Sequence, residues 1–278
     1  MSPKLSIIIP CYNHGQYLRE ALDSVEACAD TELYEIIILN DGSTDKDTIS
    51  LLQQLSTEGY HVINQQNQGL GAARNNAIAA ARGIYVLPLD SDNKIRPEYI
   101  LESIKILDEQ PGIAVVYSDA ENFGDKTGRN NVGEFNLQKM MLGNYIDACA
   151  VYRRSVWETL GGYDEKMPVM GLEDWDLWLH MAFKNYDFKY VPQVMYDYRV
   201  LNNSMLRSID IDRRKAVKNY MEEKYKKHLH YRYINELILD NVQKNKKLIL
   251  KLILAIYFPA LLNYLKRKGV IKSIDFFL

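Results

Sequence analysis

The sequence predicts an α/β protein with a mostly parallel central sheet covered by helices on both faces. Three observations predict it. Short runs of β-branched and aliphatic residues recur without polar alternation, as in strands buried on both sides. Helical stretches separate them, and turn-forming residues follow each run directly.

The elements follow in order. Leu5–Ile9 is the first apolar run, and a helix is expected from about Gly15 to Cys28. Tyr34–Leu39 is the second run, ended by Asn40-Asp41-Gly42-Ser43, with a helix expected to about Thr57. A short strand at Tyr60–Ile63, an Ala-rich helix near Gly69–Arg82 and a fourth strand at Ile84–Leu87 come next. Pro97–Glu109 reads as helix and Ile113–Tyr117 as strand. Beyond Ser118 the alternation loosens. Asn122–Gly133 is polar and Gly-rich and is expected to be a loop. Met140–Arg153 and Phe188–Arg199 contain strand-like pieces, with an amphipathic helix around Leu172–Phe183 between them. From Ile209 onward the sequence reads as helical and Lys-rich, so the domains expected are 1–208 and a basic helical extension, 209–278.

Composition sets the outer bounds. With 278 residues, 47% apolar and 25% charged, the chain is neither disordered nor fibrous. Cys11, Cys28 and Cys149 are too few and too scattered for a disulfide framework or a structural zinc site, and they fit a reducing compartment. Met1-Ser2-Pro3-Lys4 leads straight into the first strand, so no signal peptide is expected and the protein reads as cytoplasmic. The net charge of −2 hides an asymmetry. Residues 212–278 hold 16 Lys+Arg and 6 Asp+Glu, whereas residues 1–211 hold 18 and 30.

Ligands of parallel sheets bind at the carboxyl ends of the strands, which directs attention to Pro10–Asn13, Asn40–Asp45 and Asp90–Asn93. Asp90-Ser91-Asp92 follows the fourth strand. Two carboxylates spaced by one residue there can hold a divalent cation beside a diphosphate, because Mg2+ and Mn2+ prefer carboxylate and phosphate oxygens. The same triplet also arises by chance in surface turns. Asn40–Asp45 reads as a strand–turn–helix junction, with Ser43 or Thr44 capping the helix. Asp41 then needs a donor, since a carboxylate at the inner end of a buried strand cannot go unpaired. A pyrimidine ring N–H would serve.

Asn67-Gln68-Gly69-Leu70-Gly71-Ala72-Ala73-Arg74-Asn75 is a poor dinucleotide fingerprint, lacking the third glycine and the position after the first strand. As a glycine-started helix it places Arg74 and Asn75 toward the same strand ends; the ordinary alternative is a surface arginine. Glu173-Asp174-Trp175-Asp176 opens the later helix, where acidic residues suit the helix dipole whether or not they act chemically.

The ordered set Ser6-Ile7-Ile8-Ile9-Pro10-Cys11-Tyr12-Asn13, Asn40–Asp45, Asn67-x-Gly69 with Ala73-Arg74-Asn75, Asp90-Ser91-Asp92 and Gly171-x-Glu173-Asp174-Trp175-Asp176 resembles the family 2 glycosyltransferases. The resemblance covers residues 4 to 206. It implies the GT-A, Rossmann-like nucleotide-binding fold and inverting transfer from a nucleotide sugar, in first place a UDP-sugar. It implies donor-nucleotide contacts from Pro10, Tyr12, Asn13, Asp41, Asn67, Arg74, Asp90 and Ser91. Asp41 matches the acceptor for the uracil N–H, and Arg74 the basic residue beside base and phosphates. Asp92, with Asp90, would hold Mn2+ or Mg2+. Asp174 matches the catalytic base, with Glu173 and Trp175 on the acceptor side. Family members commonly carry a histidine soon after a Tyr-Arg pair; here Tyr198-Arg199-Val200 is followed by Leu201, which leaves a third protein ligand open. His180 is expected on the helix surface.

The implied acceptor is a glycan or lipid-linked glycan, and nucleic acid is not an expected partner. Residues 248–262 are apolar apart from Lys251 and Pro259 and are flanked by Lys244, Lys246, Lys247 and Lys266-Arg267-Lys268. A spanning helix needs about 20 apolar residues, so 244–268 suits a helix lying in the membrane interface instead. An oligomerisation or packing helix is the alternative. Two other functions stay open: a phosphatase of the haloacid dehalogenase type, which also uses Asp-x-Asp after a strand, and a non-catalytic sugar-nucleotide-binding protein.

Overall fold

The computed structural model describes residues 2–202, 210–226 and 228. The chain divides into two compact units, 1–217 and 218–278. Residues 203–209, and the basic apolar segment 244–268 expected to lie at a membrane interface, are outside the described residues. The first unit is mixed α/β as expected.

Its spine is a nine-stranded sheet. Strands β1 (Leu5–Cys11), β2 (Tyr34–Asp41), β3 (His61–Gln65) and β4 (Tyr85–Pro88) run parallel in the order β3-β2-β1-β4. The sheet continues through β8 (Val151–Arg153), β6 (Ile113–Gly124), β9 (Asp187–Val200) and β5 (Lys94–Ile95), with β7 (Gly128–Asn130) paired to β6. β8 is antiparallel to both neighbours and β5 to β9, whereas β6 and β9 are parallel.

All seven residues of β1 are buried. Ser6 is tolerated there because its hydroxyl donates to Glu35 Oε1 at 2.6 Å and accepts from the Gly83 amide at 2.9 Å. Helix α1 (Gly15–Glu26) turns Leu18, Ala21, Leu22 and Val25 to the sheet at helical spacing. Helices α2 (Lys46–Thr57), α3 (Leu70–Ala79) and α4 (Pro97–Glu109) follow their strands, the last starting with proline at its first position. Burying each large aliphatic side chain in this core contributes about 1.5–3 kcal/mol.

The cap of α2 differs from expectation. Asp45, rather than Ser43 or Thr44, accepts from the Thr48 amide at 2.8 Å and its hydroxyl at 2.7 Å. Gly42 must be glycine: its φ is +71°, and a Cβ there would lie 2.6 Å from the Asn67 amide nitrogen.

The larger differences lie after residue 117. The strand expected to stop at Tyr117 runs on to Gly124, because β9 pairs with it along its whole length. The expected loop Asn122–Gly133 is largely a hairpin, β7 folding back on Ala120–Asn122. Arg129 of this hairpin partners the strand beside it. Buried Asp119 accepts from Arg129 at 2.6 Å, the Val132 amide at 2.9 Å and the Tyr190 hydroxyl at 2.8 Å. Within Met140–Arg153 only Val151–Arg153 is strand, and Met140 belongs to helix α5 (Leu137–Leu142). Helix α6 (Arg154–Leu160) has no counterpart in the sequence reading. Helix α7 (Glu173–Phe183) starts one residue after the expected Leu172, and α8 (Ile211–Tyr225) is the described part of the expected C-terminal helices.

Asn75 is a structural knot between α3 and the turn after α6. Its Nδ2 donates to the Tyr163 carbonyl at 2.9 Å and Glu165 Oε1 at 2.8 Å; its Oδ1 accepts from Trp157 Nε1 at 3.2 Å and the Tyr163 amide at 2.8 Å. Asn75→Ala strands these groups and is expected to lower stability by about 1–3 kcal/mol in urea unfolding.

Candidate active site

The parallel strands set the location. The chain runs from β1 outward through β2 and β3, then crosses back to place β4 on the other side of β1. The crevice at such a switch point, above the strand carboxyl ends, is where an open α/β sheet takes its ligand. Pro10–Asn13, Asn40–Asp41 and Asp90–Asn93 all lie there.

On the β2 side, Asp41 stands opposite Gln65 in the β2–β3 register. Oδ1 accepts from Gln65 Nε2 at 2.7 Å and the Gln68 amide at 2.8 Å, and Oδ2 accepts from the Gly69 amide at 3.0 Å. The donor that the sequence required is therefore supplied by the fold, and the carboxylate shapes the entry to α3. Oδ2, with one such bond, keeps capacity for another donor.

Asn13 adopts φ +56°, a left-handed conformation that asparagine tolerates. Its Oδ1 accepts from the Thr44 and Asp45 amides at 2.8 and 2.9 Å, and its Nδ2 donates to Thr44 Oγ1 at 3.2 Å. The side chain staples the loop after β1 to the loop after β2. Pro10 is buried in β1, while Tyr12 is 47% exposed beside it and Asn67 is exposed. A half-exposed aromatic ring at a strand end is a stacking surface for a planar ligand.

The acidic turn after β4 holds Asp90, buried Ser91 and half-buried Asp92. Burial, and then the negative charge of Asp90, push the Asp92 carboxyl up to about 6. Among the described residues no three His, Cys, Asp or Glu side chains form a ready-made metal cage, His180 included. The donor set here is two hard carboxylates that repel each other. That fits a Mg2+ or Mn2+ ion, which keeps waters and draws further oxygens from a phosphate substrate.

Arg74 is the least expected finding. It is 2% exposed, so it is no surface arginine. Nη2 pairs with Asp90 Oδ1 at 2.7 Å and Nη1 with Glu173 Oε1 at 2.5 Å. The Tyr163 ring lies 5.6 Å from its guanidinium carbon. One buried cation thus joins the acidic turn to the first residue of α7.

The second oxygen of Glu173 accepts from the Gly171 amide at 2.7 Å, so both its oxygens are held. Trp175 is buried and donates from Nε1 to the Met140 carbonyl at 2.6 Å, locking α7 to α5. Asp174, between them, is also buried. Its Oδ2 accepts from Asn144 Nδ2 at 2.7 Å and its Oδ1 from the Trp175 amide at 2.8 Å. Burial, then the neighbouring Glu173 charge, hold its carboxyl well above the usual range, with Arg74 acting in the opposite direction. A carboxylate so placed is a stronger proton acceptor than one in water.

Two residues at this site were not legible in the sequence. Asn144 and Asp147 lie in the segment before β8, with no motif around them. Asn144 holds Asp174, as above. Asp147 accepts from the Cys149 amide at 2.9 Å, and burial together with Asp90 pushes it up to about 7. The only sequence signal was a polar pair, Asn144 and Asp147, just ahead of a buried strand.

The sequence pattern of "Glycosyl transferase family 2" matches residues 6–161, more than half the chain. The protein belongs to this glycosyltransferase family. Chondroitin synthase of Escherichia coli is 28% identical over 220 residues, covering 76% of this chain and 31% of that protein. The putative glycosyltransferase EpsH of Bacillus subtilis is 29% identical over 224 residues, covering 74% and 63%. The chain thus spans about a third of the chondroitin synthase and less than two thirds of EpsH. Among solved structures, Staphylococcus aureus TarS residues 1–349, in complex with UDP-GlcNAc, superposes with a TM-score of 0.62 at 21% identity. The match covers 77% of this chain and 64% of that one. The GT-A fold of this family 2 member is the expected one.

Proposed function

We propose that this family 2 glycosyltransferase moves a hexosyl or N-acetylhexosaminyl group from a UDP-sugar to an acceptor hydroxyl, inverting the anomeric carbon, in the assembly of a polysaccharide or other surface glycan. The observation that carries the reading is the pairing of buried Arg74 with Asp90 on one side and Glu173 on the other. It sets an acidic turn suited to a leaving diphosphate against a carboxylate, Asp174, suited to taking a proton. The chondroitin synthase and the UDP-GlcNAc complex of TarS support a UDP-sugar and a polysaccharide product.

The residues divide the work. Tyr12 and Pro10 border the base, with Asn67 and Ser91 at the same strand ends. Oδ2 of Asp41 accepts the uracil N–H. Asp92 and Asp90 hold Mn2+ or Mg2+, which when bound neutralises charge on the departing diphosphate. Asp174 removes the acceptor hydroxyl proton, and one base acting from the face opposite the leaving group inverts the centre. Arg74 and Glu173 keep Asp174 in place. No described helix is long and apolar enough to cross a membrane. The basic apolar segment 244–268 is proposed to rest on the inner membrane face, near a lipid-linked acceptor.

Calorimetric titration of UDP with and without Mn2+ tests the donor side. Mn2+ is expected to strengthen UDP binding to the wild-type protein and to have no effect on Asp92→Ala. A wild-type affinity indifferent to Mn2+, or an equal Mn2+ effect in the mutant, overturns the role given to Asp92.

A further inference from the structure

The acidic turn has a support that no motif marks. β9 runs past it, and the ladder between β5 and β9 ends with Lys94 opposite Asp197. Beyond that pair the backbone ladder is replaced by side chains of the turn and of β9. The Arg199 amide donates to Asn93 Oδ1 at 2.8 Å, and Arg199 Nε donates to the Asp92 carbonyl at 2.9 Å. The Arg199 side chain is 13% exposed and also pairs with Glu20 of α1. Its guanidinium carbon lies 4.5 Å from the ring centre of Tyr17 in α1 and 4.3 Å from that of Phe123 in β6. Lys94 reinforces the cluster, 3.1 Å from Glu20 and 4.2 Å from the Phe123 ring centre.

We propose that Arg199 is the positioning residue of the acidic turn, holding the Asp92 backbone so that the Asp90 and Asp92 carboxylates stay together in readiness for a divalent cation. The inference rests on reading that pair as the cation and diphosphate site. Two carboxylates one residue apart repel, and a free turn would relax by moving them apart. Relaxation is opposed by a charge-assisted bond to the Asp92 carbonyl, by a second bond to Asn93, and by a guanidinium fixed against two rings. Four elements besides the turn contribute, which makes the clamp rigid. Lysine cannot replace it, because an ammonium lacks the planar fork that reaches a carbonyl and a carboxylate while lying against aromatic rings. Arg199 touches the turn and not the cation, so its effect appears in metal affinity and not in binding of the nucleotide alone.

The test is calorimetric titration of UDP into the whole chain, in EDTA and across a Mn2+ series, for wild type, Arg199→Lys and Phe123→Leu. Arg199→Lys is expected to raise the Mn2+ concentration for half-maximal UDP binding about tenfold, the scale of one charged hydrogen bond. Its UDP affinity in EDTA is expected to equal that of wild type. Phe123→Leu should shift the same way by less, and it decides the matter if the lysine variant does not fold. An unchanged Mn2+ requirement overturns the proposal. So does a parallel loss of UDP binding in EDTA, which signals a merely structural role. If wild type itself ignores Mn2+, the cation site fails, and the clamp with it.

Discussion

Asp174→Asn is expected to lower sugar transfer by about a hundredfold or more, the lower range for loss of a general base, with UDP affinity near wild type. The substitution keeps the shape of the side chain and its place at the start of α7. The Trp175 amide still finds an oxygen, while the bond from Asn144 Nδ2 is lost, because Asn144 Oδ1 is already held by the Ile146 amide at 3.3 Å and cannot turn toward the new NH2. The chemical loss is the basicity. The wild-type pH profile carries the same signature. The carboxylate works when ionised, and burial and Glu173 hold its carboxyl well above the usual range. Transfer should therefore fall, as pH is lowered, already above the pH at which ordinary carboxylates protonate, and this acid limb should be missing from the residual activity of Asp174→Asn. Single-turnover rates across pH, with UDP affinity measured in parallel, check both. A mutant at wild-type rate moves the base to Asp147 or Asp176.

Removing the arginine that joins the two halves of the site is expected to produce the largest loss of stability. Arg74→Met leaves Glu173 buried without its cation and strips Asp90 of its partner. Breaking a buried ion pair from one side costs about 3–5 kcal/mol, because the remaining charge stays desolvated. Urea unfolding reads this directly. Adding Glu173→Gln to Arg74→Met removes the stranded charge and should recover part of the loss. A loss within experimental error for the single mutant would mean that Glu173 and Asp90 find water or another cation, and that the bridge is not structural.

Much of the fold was legible because its strands and helices obey one rule each. β1, β2 and β4 are mostly apolar runs, interrupted by Ser6 in β1 and Glu35 in β2, with turn residues behind them, and α1 shows its buried face at regular spacing. The reading weakened where polarity and burial part company. Asn122 looked like a loop residue, yet it lies in a strand paired with the returning hairpin, and Asp119 in the same strand is partnered by Arg129 and Tyr190. β8 is only three residues long and draws its identity from β4 and β6, which sequence periodicity cannot see.

At the site the strand-end motifs came together, but their partners did not announce themselves. Asp41 was read as needing a ligand, and the amides of Gln68 and Gly69 already serve it. The sequence offers Arg74 as a donor contact or a surface residue; it is not at the surface but buried, bridging Asp90 and Glu173. Asn144, Asp147 and the contacts of Arg199 depend on segments more than twenty residues from the motifs they support. Such pairings are set by tertiary packing and leave no local spacing to find.

In the proposed reaction a UDP-sugar is opened at the acidic turn and its sugar handed to a hydroxyl activated by Asp174. Release of nucleoside diphosphate from a panel of UDP-, GDP- and CDP-sugars, in Mn2+ and with a mixed glycan acceptor pool, tests it most directly. Wild type is expected to release UDP from at least one UDP-sugar, Asp174→Asn to lose about a hundredfold or more of this rate, and no phosphate to be released from an aryl phosphate. Release from GDP- or CDP-sugars alone, an undiminished rate in Asp174→Asn, or hydrolysis of the aryl phosphate would contradict it.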